Sequence, residues 1–210
     1  MNKYLRDGMT EGFMLESLLM EGENILWKDK PKKSAFIINA SAKMMPVAII
    51  WLLFDSFFIS SFVKTGGFSQ MAFFLVPFFA IHLIPVWIWL SNVLTANKRW
   101  KNTEYAITDK RVIIRNGLIG YNYQSVYYTD IANVMLEVGM IDSILKVGDI
   151  ALLLNAAGAK GGTASILDIK EPQRVYAMLQ KTVMDIQADI HYPNALRPDV
   201  NPGYNTQYRP

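Results

Sequence analysis

MPVAIIWLLFDSFFISSFV (Met45 to Val63) and MAFFLVPFFAIHLIPVWIWL (Met71 to Leu90) are apolar around the whole circumference of a helix. At about 1.5 Å per residue each is long enough to cross a hydrocarbon core of about 30 Å. A chain of 210 residues holds too little other apolar material to enclose two such helices as a soluble core. Seven residues, Lys64 to Gln70, separate the stretches, and Gly66-Gly67 allows a tight turn there. The pattern therefore predicts an antiparallel transmembrane hairpin within residues 45–94, with spans of about 45–63 and 71–92. Pro77 and Pro85 are expected to bend the second span, with serine or water satisfying the freed carbonyls.

Charge sets the expected orientation. Lys28, Lys30, Lys32, Lys33 and Lys43 precede the first span and Lys98, Arg99 and Lys101 follow the second, while the connecting loop carries only Lys64. Cationic flanks favour the cytoplasm, so the expectation is a multi-pass protein of the cell membrane with both termini cytoplasmic. Trp87, Trp89 and Trp100 suit the interface on that side. The first 44 residues are polar and mixed in charge, so the first span is expected to serve as an uncleaved anchor.

Composition narrows the rest. With 51% hydrophobic residues, 19% charged residues and no cysteine, the chain is neither disordered nor disulfide-stapled, and it has no thiolate metal site or cysteine nucleophile. The net charge of +3 belongs to residues 1–99; residues 100–187 hold nine basic and nine acidic groups. A neutral segment without a basic stripe argues against nucleic-acid binding.

Beyond the hairpin the pattern changes to short runs rich in β-formers: EYAIT (104–108), RVIIRNG (111–117), QSVYYT (124–129), IANVMLEV (131–138), IALLLN (150–155) and ASILDI (164–169). Thr108-Asp109-Lys110 and Asn116-Gly117 supply turns, and Gly158 to Gly162 reads as a hairpin loop. This spacing predicts a compact antiparallel sandwich or barrel. After Pro172, Val175, Met178, Leu179, Val183 and Ile186 recur at helical spacing, which predicts a closing amphipathic helix. Thr10 to Met20 suggests a short amphipathic helix ended by Gly22. The tail, residues 188–210, is rich in proline, tyrosine and asparagine and is expected to be extended.

The lead-in EGENILWKDKPKK (21–33), the two spans, YAITDKRVIIRNG (105–117), TDIANVMLEVG (129–139) and IKEPQRV (169–175) together closely resemble the bacterial PH-like, membrane-flanked domain family. The resemblance covers roughly residues 21–187. It implies a PH-like sandwich of about seven strands capped by a C-terminal helix, in proteins mostly of unassigned role. By the same resemblance, Glu23 to Lys28 within the lead-in 23–44 supplies the first strand, with the hairpin inserted between it and the rest of the sheet. Where the family usually has Gly-Thr-Ile on a late strand, this chain reads Gly162-Thr163-Ala164-Ser165-Ile166. The expected fold is thus an α+β membrane protein: a transmembrane hairpin attached to a PH-like antiparallel β-sandwich (100–187) capped by a helix.

Several residues invite a functional reading. Asp55 and His82 lie near the middle of their spans, so an antiparallel hairpin brings both to the bilayer midplane, where an ionisable side chain costs about 2.5–3.5 kcal/mol. They either line a proton or ion path or act as polar glue, with or without Ser56, Ser60 or Ser61, within the hairpin or between protomers. The eight flanking cations suit anionic headgroups, mark topology, or do both. Lys110, Arg111 and Arg115 are the only close cations in the sandwich, and the last two share one face of a strand, which reads as a solvated face. Tyr192, Tyr204 and Tyr208 are candidate anchors for docking the tail on a protein surface; free disorder is the alternative.

The glycine-rich AAGAKGGTA (156–164) lacks the Gly-Lys-Ser/Thr order of a phosphate-binding loop. Neither histidine, His82 or His191, belongs to a catalytic arrangement, and no metal or cofactor site is evident. The expected function is a non-enzymatic, membrane-anchored binding or scaffolding module whose partners are the bilayer and a protein, either another protein or a second copy of the chain. The alternative is a small subunit of an oligomeric transporter or channel that uses Asp55 and His82.

Overall fold

The computed structural model describes residues 14–155 and 162–191. The chain divides into two compact units, residues 1–35 with 101–210 and residues 36–100.

In the first unit, a 3-10 turn over Met14–Leu18 precedes strand β1 (Ile25–Asp29). After residues 30–101 come β2 (Glu104–Thr108), β3 (Arg111–Asn116) and β4 (Asn122–Tyr127), then β5 (Ile131–Glu137), β6 (Val147–Leu154) and β7 (Thr163–Lys170). The strands form an antiparallel four-stranded sheet in the order β1-β2-β3-β4 and a three-stranded sheet in the order β5-β6-β7. Alternation explains the core: Tyr105, Ile107, Val112 and Ile114 point inward from the first sheet and meet Ile150, Leu152 and Ile166 of the second. The closing helix runs from Pro172 to His191 and buries Val175, Leu179, Val183 and Ile186 in that core, which the helical spacing predicted. Its Gln187 amide donates to the carbonyls of Tyr128 (3.1 Å) and Ile131 (2.9 Å), fixing it over the start of β5.

The sandwich, its antiparallel sheets and its helical cap are as the sequence implied. The variant Gly162 to Ile166 stretch pairs regularly at its start, with Thr163 opposite Leu153; the register shift in this pairing lies farther along, between Gly148 and Ile150. Lys146 sits at φ 55°, ending a short helix over Met140–Leu145.

Chain order matters most at β1. Its register pairs Trp27 with Ile107 and Asp29 with Tyr105, so the end of β1 and the start of β2 lie side by side although the whole second unit separates them in sequence.

The second unit is helical. We number its helices α1 (Lys33–Ala42, entered from the first unit), α2 (Met45–Lys64), α3 (Gly67–His82) and α4 (Ile84–Lys101); the short and closing helices of the sandwich are then α5 and α6. Helix α1 falls where the sequence suggested only a basic lead-in, because its FIINASA run is too short to stand out from the neighbouring span. Helix α2 has 20 residues and is long and apolar enough to cross a membrane; α3 and α4 meet that criterion only if the bent pair is one span.

Two expectations change here. The turn is Thr65-Gly66, with Gly66 at φ 69°, instead of a seven-residue loop, because α3 already begins at Gly67. The second span is broken, with α3 and α4 meeting at 54° around Leu83. Pro77 stays inside α3, whereas Pro85 lacks an N–H and its ring crowds the carbonyl four residues back, so a new helix starts there. Carbonyls beside the break are capped by indoles, not by serine. Trp51 Nε1 donates to the His82 carbonyl at 2.8 Å and Trp87 Nε1 to the Ala80 carbonyl at 3.0 Å. A third indole, Trp89, donates to the Ser41 carbonyl at 3.1 Å, tying α4 to the end of α1.

Candidate functional site

Two buried charge clusters stand out, one in each unit. In the helical unit Asp55 and His82 occupy facing positions of α2 and α3, and His82 Nδ1 lies 2.9 Å from Asp55 Oδ1. Asp55 is only 2% exposed, and its second oxygen, Oδ2, has no hydrogen-bond partner. His82 is held from several sides: its ring stacks on Phe78 at 5.4 Å between centroids, lies 5.7 Å from the Trp51 ring, and its carbonyl takes the Trp51 indole. Beside the pair is a pocket of about 450 Å³ whose other walls are Phe54, Phe58, Phe62, Phe74, Leu75, Phe78 and Phe79. Phenylalanines at 54, 58 and 62 recur every four residues on α2, and those at 74 and 78 do so on α3, so helical periodicity builds the aromatic wall.

The sandwich cluster corrects the reading of Arg111 and Arg115 as a solvated face. Both project from the outer face of β3 together with Ile113, yet that face is covered: Leu15 of the N-terminal turn packs on Ala106 and Ile113. Arg111 is buried against Glu23, with Nε 3.0 Å from Oε1 and Nη2 3.1 Å from Oε2. Its remaining donors reach the Leu18 carbonyl (2.8 Å) and Ser125 Oγ (3.0 Å). The Glu23 carboxylate also accepts the Met20 N–H at 2.7 Å and stands 2.8 Å from the Thr108 hydroxyl, whose single hydrogen serves either Glu23 or the Arg111 carbonyl. Burial pushes the Glu23 carboxyl up, but the Arg111, Met20 and Thr108 hydrogen bonds and the Arg111 charge outweigh it and hold the group below its ordinary value. Arg111 is raised in turn, chiefly by its hydrogen bonds to Glu23.

Arg115 sits two repeats of the pleat further on, with Nη1 3.3 Å from Glu104 Oε1 and its guanidinium 4.4 Å from the centre of the Tyr121 ring. Lys30 Nζ approaches the same Glu104 oxygen at 3.0 Å.

These contacts reshape the proposed headgroup cluster. Lys28 is engaged by Glu16, Lys30 by Glu104, and Lys32 donates to the Leu145 carbonyl at 2.8 Å. Lys28 on β1 and Lys30 and Lys32 just after it are therefore stitched into the sandwich. Lys43, Lys98 and Lys101 are exposed, and Arg99 donates to the Asn92 carbonyl at 3.1 Å within α4. Tyr192, Tyr204 and Tyr208, and most of the glycine-rich loop, lie outside the described residues. Among the described residues no group of three histidine or acidic side chains is placed to hold a metal ion.

A groove of about 530 Å³ in the sandwich was not legible beforehand. Leu26, Trp27, Val175 and Met178 form its apolar floor, and Asp29, Lys170, Glu171 and Arg174 stand around it. It forms because β1 is an edge strand and α6 begins directly after β7.

Comparison with known proteins places the fold. No curated protein matches the chain. A solved structure, a DUF1696 family protein with a pleckstrin-homology domain from Shewanella loihica PV-4, is 21% identical over 41% of this chain and 71% of its own, with a TM-score of 0.30. The bacterial PH domain family matches residues 47–183, from within α2 through the sandwich and into α6. That match takes in the apolar helices as well as β2 to β7, and the chain belongs to the bacterial PH domain family.

Proposed function

We propose that the protein is a non-enzymatic binding and scaffolding module, anchored by its helical hairpin and holding its PH-like sandwich on the cytoplasmic face of the cell membrane. The observation that carries this reading is the point of insertion. The apolar helices leave the sandwich at the end of β1 and return at the start of β2, two chain positions paired side by side in one sheet. A domain tethered by both ends of such an insertion stays at the membrane, so a partner of modest affinity meets it at high local concentration. The flanking cations Lys43, Lys98 and Lys101 suit anionic headgroups on that face.

The groove between β1 and α6 is the surface offered to a protein partner, since an apolar floor with a charged rim is the usual anatomy of such a contact. Leu26, 43% exposed on an edge strand, is its most accessible apolar side chain.

A single-cysteine experiment tests the anchoring. A cysteine replacing Ser69 reacts with an impermeant thiol reagent in intact cells and one replacing Asn122 does not; the reverse pattern removes the reading. Binding is tested by crosslinking in cells and recovery from gently solubilised membranes. A specific partner is recovered with the wild type and lost with Leu26→Glu, while the melting temperature is unchanged.

The Asp55–His82 pair favours a second reading, a small subunit of an oligomeric transporter or channel. Loss of conductance in proteoliposomes on Asp55→Asn, with assembly intact, selects it over scaffolding.

A further inference from the structure

Asp55 is an incomplete site. One carboxylate oxygen has His82 and the other, buried, has no partner, although leaving a buried acceptor unmet is costly. Beyond His82, which meets Oδ1, the pocket walls supply no donor, being six phenylalanines and Leu75. The pocket's volume of about 450 Å³ lies in the range of small-molecule sites. Phenylalanine faces attract cations, and a carboxylate attracts an N–H donor carrying positive charge.

We propose that this pocket binds a compact apolar ammonium, an organic monocation whose N–H donates to Asp55 Oδ2 while its hydrocarbon body lies among the phenylalanine rings. When Asp55 is ionised and His82 donates to it from Nδ1 as the neutral imidazole, the pair carries one negative charge, which a monocation neutralises. A second positive charge would be left uncompensated, so polyamines and divalent metal ions do not fit. A neutral ring fills the space but leaves Oδ2 unmet. Phe54 and Phe74, 54% and 65% exposed, form the outer rim of the pocket. Behind that rim His82 is held by Phe78, Trp51 and the indole hydrogen bond. The site does not depend on whether the sandwich recruits a partner.

The test uses the full chain in detergent with three probes that share one ring: benzylammonium, benzyltrimethylammonium, which has charge but no N–H, and benzyl alcohol, which has a donor but no charge. The chain has two histidines, so ¹⁵N-histidine labelling of His191→Gln gives a reporter for His82 alone. Benzylammonium should shift the His82 ring signals saturably and bind at least tenfold more tightly than either analogue. Asp55→Asn should weaken benzylammonium at least tenfold and leave benzyl alcohol unchanged. Equal affinity for benzylammonium and benzyl alcohol in the wild type would mean an apolar groove that takes any ring or detergent tail, and overturns the proposal without need of a variant. A His82 signal blind to all three probes, as when a second copy of the chain covers Asp55, overturns it too. Partner recovery through the sandwich is unaffected by the probes in either case.

Discussion

Glu23 and Asp55 are both buried carboxylates facing a basic side chain, and they are treated oppositely. Glu23 takes donors on both oxygens, and the arginine opposite it spends its own donors on Glu23, a backbone carbonyl and a serine. Asp55 has one oxygen engaged and one bare. A complete network holds a structure in place, whereas an incomplete one in an otherwise apolar wall marks where something else belongs. The sandwich therefore uses buried charge to bind its N-terminal segment to its sheet, and the hairpin keeps its buried charge available.

The largest effect should come from breaking the complete network. Arg111→Met leaves Glu23 buried without its partner and should cost about 3–5 kcal/mol, read from thermal or denaturant unfolding of the sandwich in detergent. Because the folded Glu23 carboxyl lies below its ordinary value, its stabilisation is complete above the unfolded carboxylate range and is lost as pH falls through the lowered folded value. Wild type should lose that increment in acid; Arg111→Met, having already lost it, should not. Equal acid sensitivity in the two would mean that Glu23 is not the group concerned.

In the hairpin, Asp55→Ala or His82→Ala should each cost about 1–2 kcal/mol, and the double variant less than their sum, with a coupling of about 0.6–1.7 kcal/mol. Additive losses in a thermal assay would show that the 2.9 Å contact carries no energy.

Asp185 sharpens the contrast from within the sandwich. It is buried on α6 with Oδ1 unpartnered, and burial raises its carboxyl above the ordinary value. A carboxyl raised in the folded state costs stability as pH rises from its ordinary value through its folded value, and the full cost is present above both, so Asp185→Asn should stabilise the protein by about 1 kcal/mol or less at neutral pH, with the gain vanishing in acid. A gain that persists at low pH would assign the effect to packing.

The smallest effect belongs to Glu171 and Arg174, paired at 3.2 Å with side chains 69% and 84% exposed. Glu171→Gln should move the melting curve by less than about 0.5 kcal/mol, since solvent and salt screen the pair.

Much of this architecture is legible in the sequence because periodicity reports local structure. Runs of β-formers between turn residues located most of the strands, the spacing of Val175 to Ile186 located the helix, and places near the middle of the two apolar runs set Asp55 and His82 opposite each other. What periodicity omits is the identity of the covering element. Arg111 and Arg115 do share a face, but the carboxylate that meets Arg111 lies 88 residues away in sequence and the turn above them is only five residues long. The break at Leu83 has a local cause in Pro85, yet its caps come from Trp51, 31 residues upstream of the carbonyl it serves, and from Trp87. The phenylalanine wall stayed hidden for another reason: in an apolar helix, rings facing a pocket and rings facing outward look alike.

The pairing of β1 with β2 also orders events during synthesis. Strand β1 leaves the ribosome before the apolar helices and its partner leaves after them, so the four-stranded sheet cannot close until the whole hairpin has been made. Closing so long a loop from an unstructured chain carries an entropic cost, which folding of the hairpin lowers by bringing its two ends together first. The helices then act as an assembly clip, and a ribosome pausing within residues 67–101 would leave β1 waiting as an unpaired edge, the point at which this chain is most open to mispairing.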